Sequence, residues 1–104
     1  MLGFFSGSGA SESELSSIRK KCSTRESAVK VCLQANSREA CDAFQQDLDL
    51  CKGHVVCPEL AKEFSHCAYR VVNYSGPSAS TPDCTAPLAA MRKSLKKKKV
   101  LGPK

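Results

Sequence analysis

From residue 18 to residue 95 the apolar positions recur with a helical period. Cys41, Phe44, Leu48 and Cys51 stand at offsets 0, 3, 7 and 10, which on a helix of 3.6 residues per turn is a single stripe. Cys57, Leu60, Phe64 and Cys67 repeat those offsets, Cys22, Val29 and Cys32 keep most of them, and Cys84, Leu88, Met91 and Ser94 come close. Each unit predicts an amphipathic α-helix with a cysteine near each end of its apolar face. One such helix cannot bury its stripe alone, whereas two antiparallel copies can face each other. The expected architecture is all-α, with three to four short helices in antiparallel hairpins and extended N- and C-terminal tails.

Local punctuation sets the expected boundaries. Asn36 followed by Glu39 offers a capping box to start the second helix. Pro58, directly after Cys57, occupies the first-turn position that helices favour for proline, and that helix is expected to run to about Val72. The Gly/Pro/Ser stretch 73–83 reads as a loop, and Pro87 weakens the first turn of the helix after it. The expected organisation is a flexible arm 1–17, a first hairpin 18–52, a third helix and a degenerate fourth over 53–95, and a basic tail 96–104.

Composition shows why such helices need help. The chain has 104 residues and six aromatics with no Trp, so one thin core is all it can build. Seven cysteines supply the remedy, because disulfides staple domains whose apolar core is too small. The first six fall into three pairs with nine residues between partners. Random placement of seven cysteines in this length gives roughly 0.4 pairs at that spacing, so three in succession are a pattern. A fourth copy is expected from Cys84 to Ser94, with serine standing in for the second cysteine. No apolar run of 18 residues occurs, and the first ten residues read as neither a secretory signal nor an Arg-rich presequence. The chain thus combines many cysteines with no recognisable cleavable address.

This layout resembles the twin Cys-x9-Cys, or coiled-coil-helix-coiled-coil-helix, family of mitochondrial proteins over residues 18–95. The resemblance implies a disulfide-stapled hairpin with Cys22 paired to Cys51 and Cys32 to Cys41. If the second hairpin copies the first, Cys67 pairs with Cys84 and Cys57 faces Ser94, leaving Cys57 as a free thiol. A competing assignment joins Cys51 to Cys57 and Cys41 to Cys67, although the five-residue KGHVV link is short and the first hairpin would lose its partners. Each crosslink is expected to contribute on the order of 2 to 4 kcal/mol. The departures from the family plan are the short step from Cys51 to Cys57, the long one from Cys67 to Cys84, and Ser94.

Other chemistry finds little material. His54, Cys57, His66 and Cys67 could be read as a zinc set, but nine-residue gaps lack the short ligand steps of zinc sites, and both histidines read as surface residues. The family includes a copper chaperone whose metal is held by adjacent cysteines before its hairpin. Here Lys20 and Lys21 fill those positions. No Cys-x-Cys or Cys-x-x-Cys redox motif and no phosphate-cradling glycine loop occurs. The expectation is a non-enzymatic protein with no cofactor and no metal.

Charge is uneven. From Arg92 onward there are seven Lys or Arg and no acid, so the net +6 divides into +7 there and −1 over residues 1–91. Arg92, Lys93, Lys96, Lys97, Lys98 and Lys99 are the candidate contact to an anionic partner: an acidic protein, anionic lipid or, less favoured, RNA. Leu2, Phe4 and Phe5 offer an apolar anchor at the other end. One branch of the family, with doubled pairs and four helices, includes an accessory subunit of respiratory complex I. The resemblance therefore implies a structural accessory subunit of a mitochondrial inner-membrane respiratory complex, complex I foremost, on its intermembrane-space face. Its partners would be other subunits of that complex, and import would run through the intermembrane-space disulfide relay. The alternatives are a mitochondrial ribosomal protein binding rRNA through the lysine tail and a soluble assembly factor.

Overall fold

The computed structural model describes residues 9–77 and 81–101. Leu2, Phe4, Phe5 and Lys104 lie outside them. Among the described residues there are four helices and no strand: α1 Glu12–Ala35, α2 Asp42–Val56, α3 Pro58–Val72 and α4 Thr85–Lys97. α2 is the central element, packed against α1, α3 and α4, and α3 also packs against α4. The fold is all-α and disulfide-stapled.

α1 begins six residues before the expected start of the first hairpin at residue 18. Ser11 Oγ accepts from the amide of Glu14 at 3.1 Å, and the Glu14 carboxylate accepts from the amide of Ser11 at 2.9 Å. This reciprocal box satisfies two of the helix's orphan N–H groups, so the helix starts where the box lies rather than where the apolar stripe starts. The capping box expected at Asn36 and Glu39 is absent. Asn36 instead ends α1, its side-chain amide donating to Cys32 O at 3.1 Å. The turn into α2 is held by Ser37, whose Oγ accepts from the amide of Ala40 at 3.2 Å.

The joint between α2 and α3 is a single residue. α2 continues through the KGHVV stretch to Val56, so the expected boundary at 52/53 falls inside a helix. Cys57 then leaves the helical region at φ −147° and ψ 67° because the ring of Pro58 disfavours α geometry in the residue before it. Its amide donates to Gly53 O at 2.8 Å and its carbonyl accepts from Ala61 N at 3.0 Å, so one residue ends one helix and begins the next. Pro87 sits in the first turn of α4, where its missing N–H removes no helical bond. The first such bond, Leu88 N to Cys84 O, spans 3.1 Å.

The core is small and has two parts. Ile18, Cys22 and Val29 of α1, Leu48 and Val56 of α2, and Leu95 of α4 form one cluster. Ala61 and Phe64 of α3 with Met91 of α4 form the other. Leu48 and Leu95 are wholly buried, each contributing about 2 kcal/mol. Two expected stripes are displaced. Phe44 is 48% exposed, so it lies off the inner face of α2. In α4 the stripe runs Leu88, Met91, Leu95, and Ser94 is half-buried beside it. At the α2–α3–α4 crossing a Cβ on Gly53 would stand 2.8 Å from Met91 Sδ and 3.3 Å from Ala61 Cβ. Glycine permits that approach.

Beyond α4 the described residues 98–101 turn back onto the fold. Lys99 adopts φ 62°, Val100 N donates to Leu95 O at 3.0 Å and Lys99 N to Lys96 O at 3.0 Å. This pair of bonds is a Schellman motif, which turns the chain back and lays Val100 and Leu101 on the first cluster. Lys52 Nζ donates to Val100 O at 2.8 Å, and Ala10 N donates to Lys98 O at 3.0 Å.

Candidate functional site

Three disulfides are present. Cys22 bonds to Cys51 and Cys32 to Cys41, with Cα–Cα distances of 5.9 Å in both, and Cys67 bonds to Cys84 with a Cα–Cα distance of 5.8 Å. α1 and α2 are thereby tied at two levels, one near their turn and one farther along. α3 and α4 are tied at one level only. Cys57 is the free cysteine and is half-buried. The competing pairs Cys51–Cys57 and Cys41–Cys67 are not formed.

The basic residues of the C-terminal third divide into two groups. Arg92 Nε donates to Oδ2 of Asp49 at 2.8 Å, and Gln45 Nε2 donates to its Oδ1 at 2.8 Å. Asp49 has no exposed surface, so both carboxylate oxygens are satisfied inside the protein, as a buried charge requires. Arg92 Nη2 is buried, 3.8 Å from Asp42 Oδ1, close enough for charge attraction but without a hydrogen bond of its own. Lys98 Nζ lies 3.6 Å from Glu14 Oε1. Lys93, Lys96, Lys97 and Lys99 are exposed, and among the described residues none of them pairs with a carboxylate. Of the six residues expected at an anionic contact, Arg92 and Lys98 pair with carboxylates of the fold, and four lysines face solvent.

A cleft of about 320 Å³ opens beside this network, with Val29, Leu33 and Leu101 on its apolar side and Asp49 and Arg92 on its polar side. There the Asp49 carboxylate is satisfied by Arg92 and Gln45, while Arg92 Nη2 keeps no hydrogen bond of its own. His54 and His66 are exposed, the Cys67 sulfur is taken by Cys84, and no group of three or more His, Cys, Asp or Glu among the described residues could hold a metal ion. Among the same residues, no helix is long and apolar enough to cross a membrane. At the start of α4, Asp83 Oδ1 accepts from the Thr85 hydroxyl at 2.7 Å and from its amide at 3.0 Å. Those two bonds hold the Asp83 carboxyl below its ordinary pKa.

No protein-family model, curated protein or solved structure matches this chain. Its description rests on its own structure: a small helical protein stapled by three disulfides. Periodicity did not reveal Asp49, Lys52, Gly53 or Leu95. One signal for Asp49 was present. Asp42, Gln45 and Asp49 follow helical spacing on α2, and although Lys52 three residues on is a local cation, the structure pairs Asp49 with Arg92 of α4.

Proposed function

We propose that this protein is a non-catalytic structural accessory subunit of a mitochondrial inner-membrane respiratory complex, complex I foremost, seated on its intermembrane-space face. The observation that carries the reading is the α1–α2 hairpin crosslinked as Cys22–Cys51 and Cys32–Cys41, the pairing that the resemblance to the twin Cys-x9-Cys family implies. Stable disulfides require an oxidising compartment, and import through the disulfide relay would deliver the chain to one. Exposed apolar side chains support a contact role. Val31, Phe44, Tyr69 and Val72 are respectively 65%, 48%, 66% and 82% exposed, large apolar side chains that a partner subunit would cover. These residues and the outer faces of α1 and α3 would clamp neighbouring subunits.

The deciding measurement is migration on a native gel of mitochondria solubilised in mild detergent. The chain should run with a respiratory complex in the megadalton range and be lost from that band when the complex is not assembled. Migration with the ribosome, or as a small free species, would overturn the assignment.

A further inference from the structure

We infer that the outer face of α4 docks on an anionic phospholipid surface through Lys93, Lys96, Lys97 and Lys99. Met91 and Leu95, both wholly buried, define the inner side of α4. At about 100° per residue, Lys93, Lys96 and Lys97 project from the opposite side. All three are exposed, and Lys99 is exposed just beyond the helix cap. On the same outer stripe the residues one and two turns earlier are Ala89 and Ala86, both exposed, so no bulky side chain stands proud of the ammonium groups there.

Among the described residues this cluster lacks a counter-charge. α4 contains no acid from Thr85 to Lys97. The carboxylates that reach its basic residues are already engaged, Asp49 and Asp42 with Arg92 and Glu14 with Lys98. Lys93 repels Lys96 and Lys97 at helical spacings of three and four. Such an arrangement is stabilised by an external anion array, and the rigid mounting of α4 presents it as one surface.

The chemistry favours lipid headgroups over nucleic acid. The four exposed cations are all lysines, compact charges on flexible stems, with no exposed arginine or aromatic among them. A charged bilayer needs only positive charge near its plane, at about fivefold in affinity per lysine. Nucleic-acid readers add stacking aromatics and bidentate arginines. This deepens the proposal of a subunit peripheral to the inner membrane.

The test is co-sedimentation of the oxidised full chain with phosphatidylcholine vesicles containing about one-third anionic phospholipid, set against pure phosphatidylcholine. The wild type should bind only the anionic vesicles and be released by high salt. K93Q/K96Q/K97Q/K99Q should weaken binding several hundredfold, each single variant about fivefold, and the corresponding quadruple arginine variant should retain it. K20Q/K21Q/K30Q/K62Q, which removes equal charge from exposed positions elsewhere, should bind within a few-fold of wild type. An equal loss in that control would reduce the effect to net charge and overturn the proposal. So would failure of the wild type to bind at low salt, or tighter binding to single-stranded RNA than to the vesicles. Vesicle affinity reads this lysine face and the native gel reads assembly, so either proposal can fail without the other.

Discussion

Arg92 Nε and Asp49 Oδ2 lie 2.8 Å apart, tying α4 to α2 through a carboxylate that has no contact with solvent. The two residues are costly singly and cheap together. Arg92→Met strands a buried charge and should destabilise the protein by about 3 to 5 kcal/mol, whereas Arg92→Met with Asp49→Leu removes both charges and should return to within about 1 kcal/mol of wild type. Urea unfolding of the two variants reads this directly. Equal losses in both would mean that the pair contributes packing rather than charge compensation.

The three disulfides should differ in worth because they close loops of different length. Their sequence separations are 29 for Cys22–Cys51, 17 for Cys67–Cys84 and 9 for Cys32–Cys41. Chain entropy predicts losses of roughly 3.6, 3.2 and 2.7 kcal/mol on replacing each pair by serines. Thermal unfolding of the three double variants should rank them in that order. In cells, Cys32→Ser or Cys41→Ser should lower the steady-state level, since the proposed retention by an oxidative relay would depend on these thiols. Undiminished accumulation of both variants would count against the relay.

Lys99 carries the strain of the C-terminal turn. At φ 62° a lysine sits in the left-handed region, at a cost of about 1 kcal/mol that glycine does not incur. Lys99→Gly should raise stability by roughly 0.5 to 1 kcal/mol. Lys99→Val should lower it, a β-branched residue being still less tolerant there. Denaturant midpoints of the two variants should move in opposite directions.

Asp83 predicts an acid response. The Thr85 hydroxyl and amide bonds favour its charged form, so its folded pKa lies below the unfolded one. The sign follows from linkage. The contribution is complete above the unfolded value of about 4 and disappears as pH falls through the lower folded value. Carbon-detected NMR of the Asp83 carboxyl should show titration below the ordinary aspartate range. Thr85→Val, which removes the hydroxyl bond, should move it upward, and an unmoved titration would show that this bond is not the cause.

The helices, the Cys57–Pro58 break and the cysteine spacing were legible because each is written over neighbouring residues. What escaped the sequence depends on which helix packs where. α2 touches three other helices, so its buried face is broader than one stripe and takes in Asp49, Lys52 and Gly53 while leaving Phe44 outside. Asp49 and Lys52 draw partners from 43 and 48 residues away, and no local period connects such positions. The capping error has a similar origin. Asn36 and Glu39 have the right spacing, but Asn36 is consumed in ending α1, and the better box at Ser11 and Glu14 precedes the apolar repeat altogether. The lysine run read as a single block because charge alone does not distinguish an ammonium group pinned to Glu14 from one facing water.

The bond from Ala10 N to Lys98 O brings the two extremities of the folded polypeptide side by side. A short peptide could therefore join them into a ring, with fresh termini opened between Asn73 and Asp83. The halves of that rearranged molecule would stay covalently linked, because the sulfur bridge from Cys67 to Cys84 spans the gap.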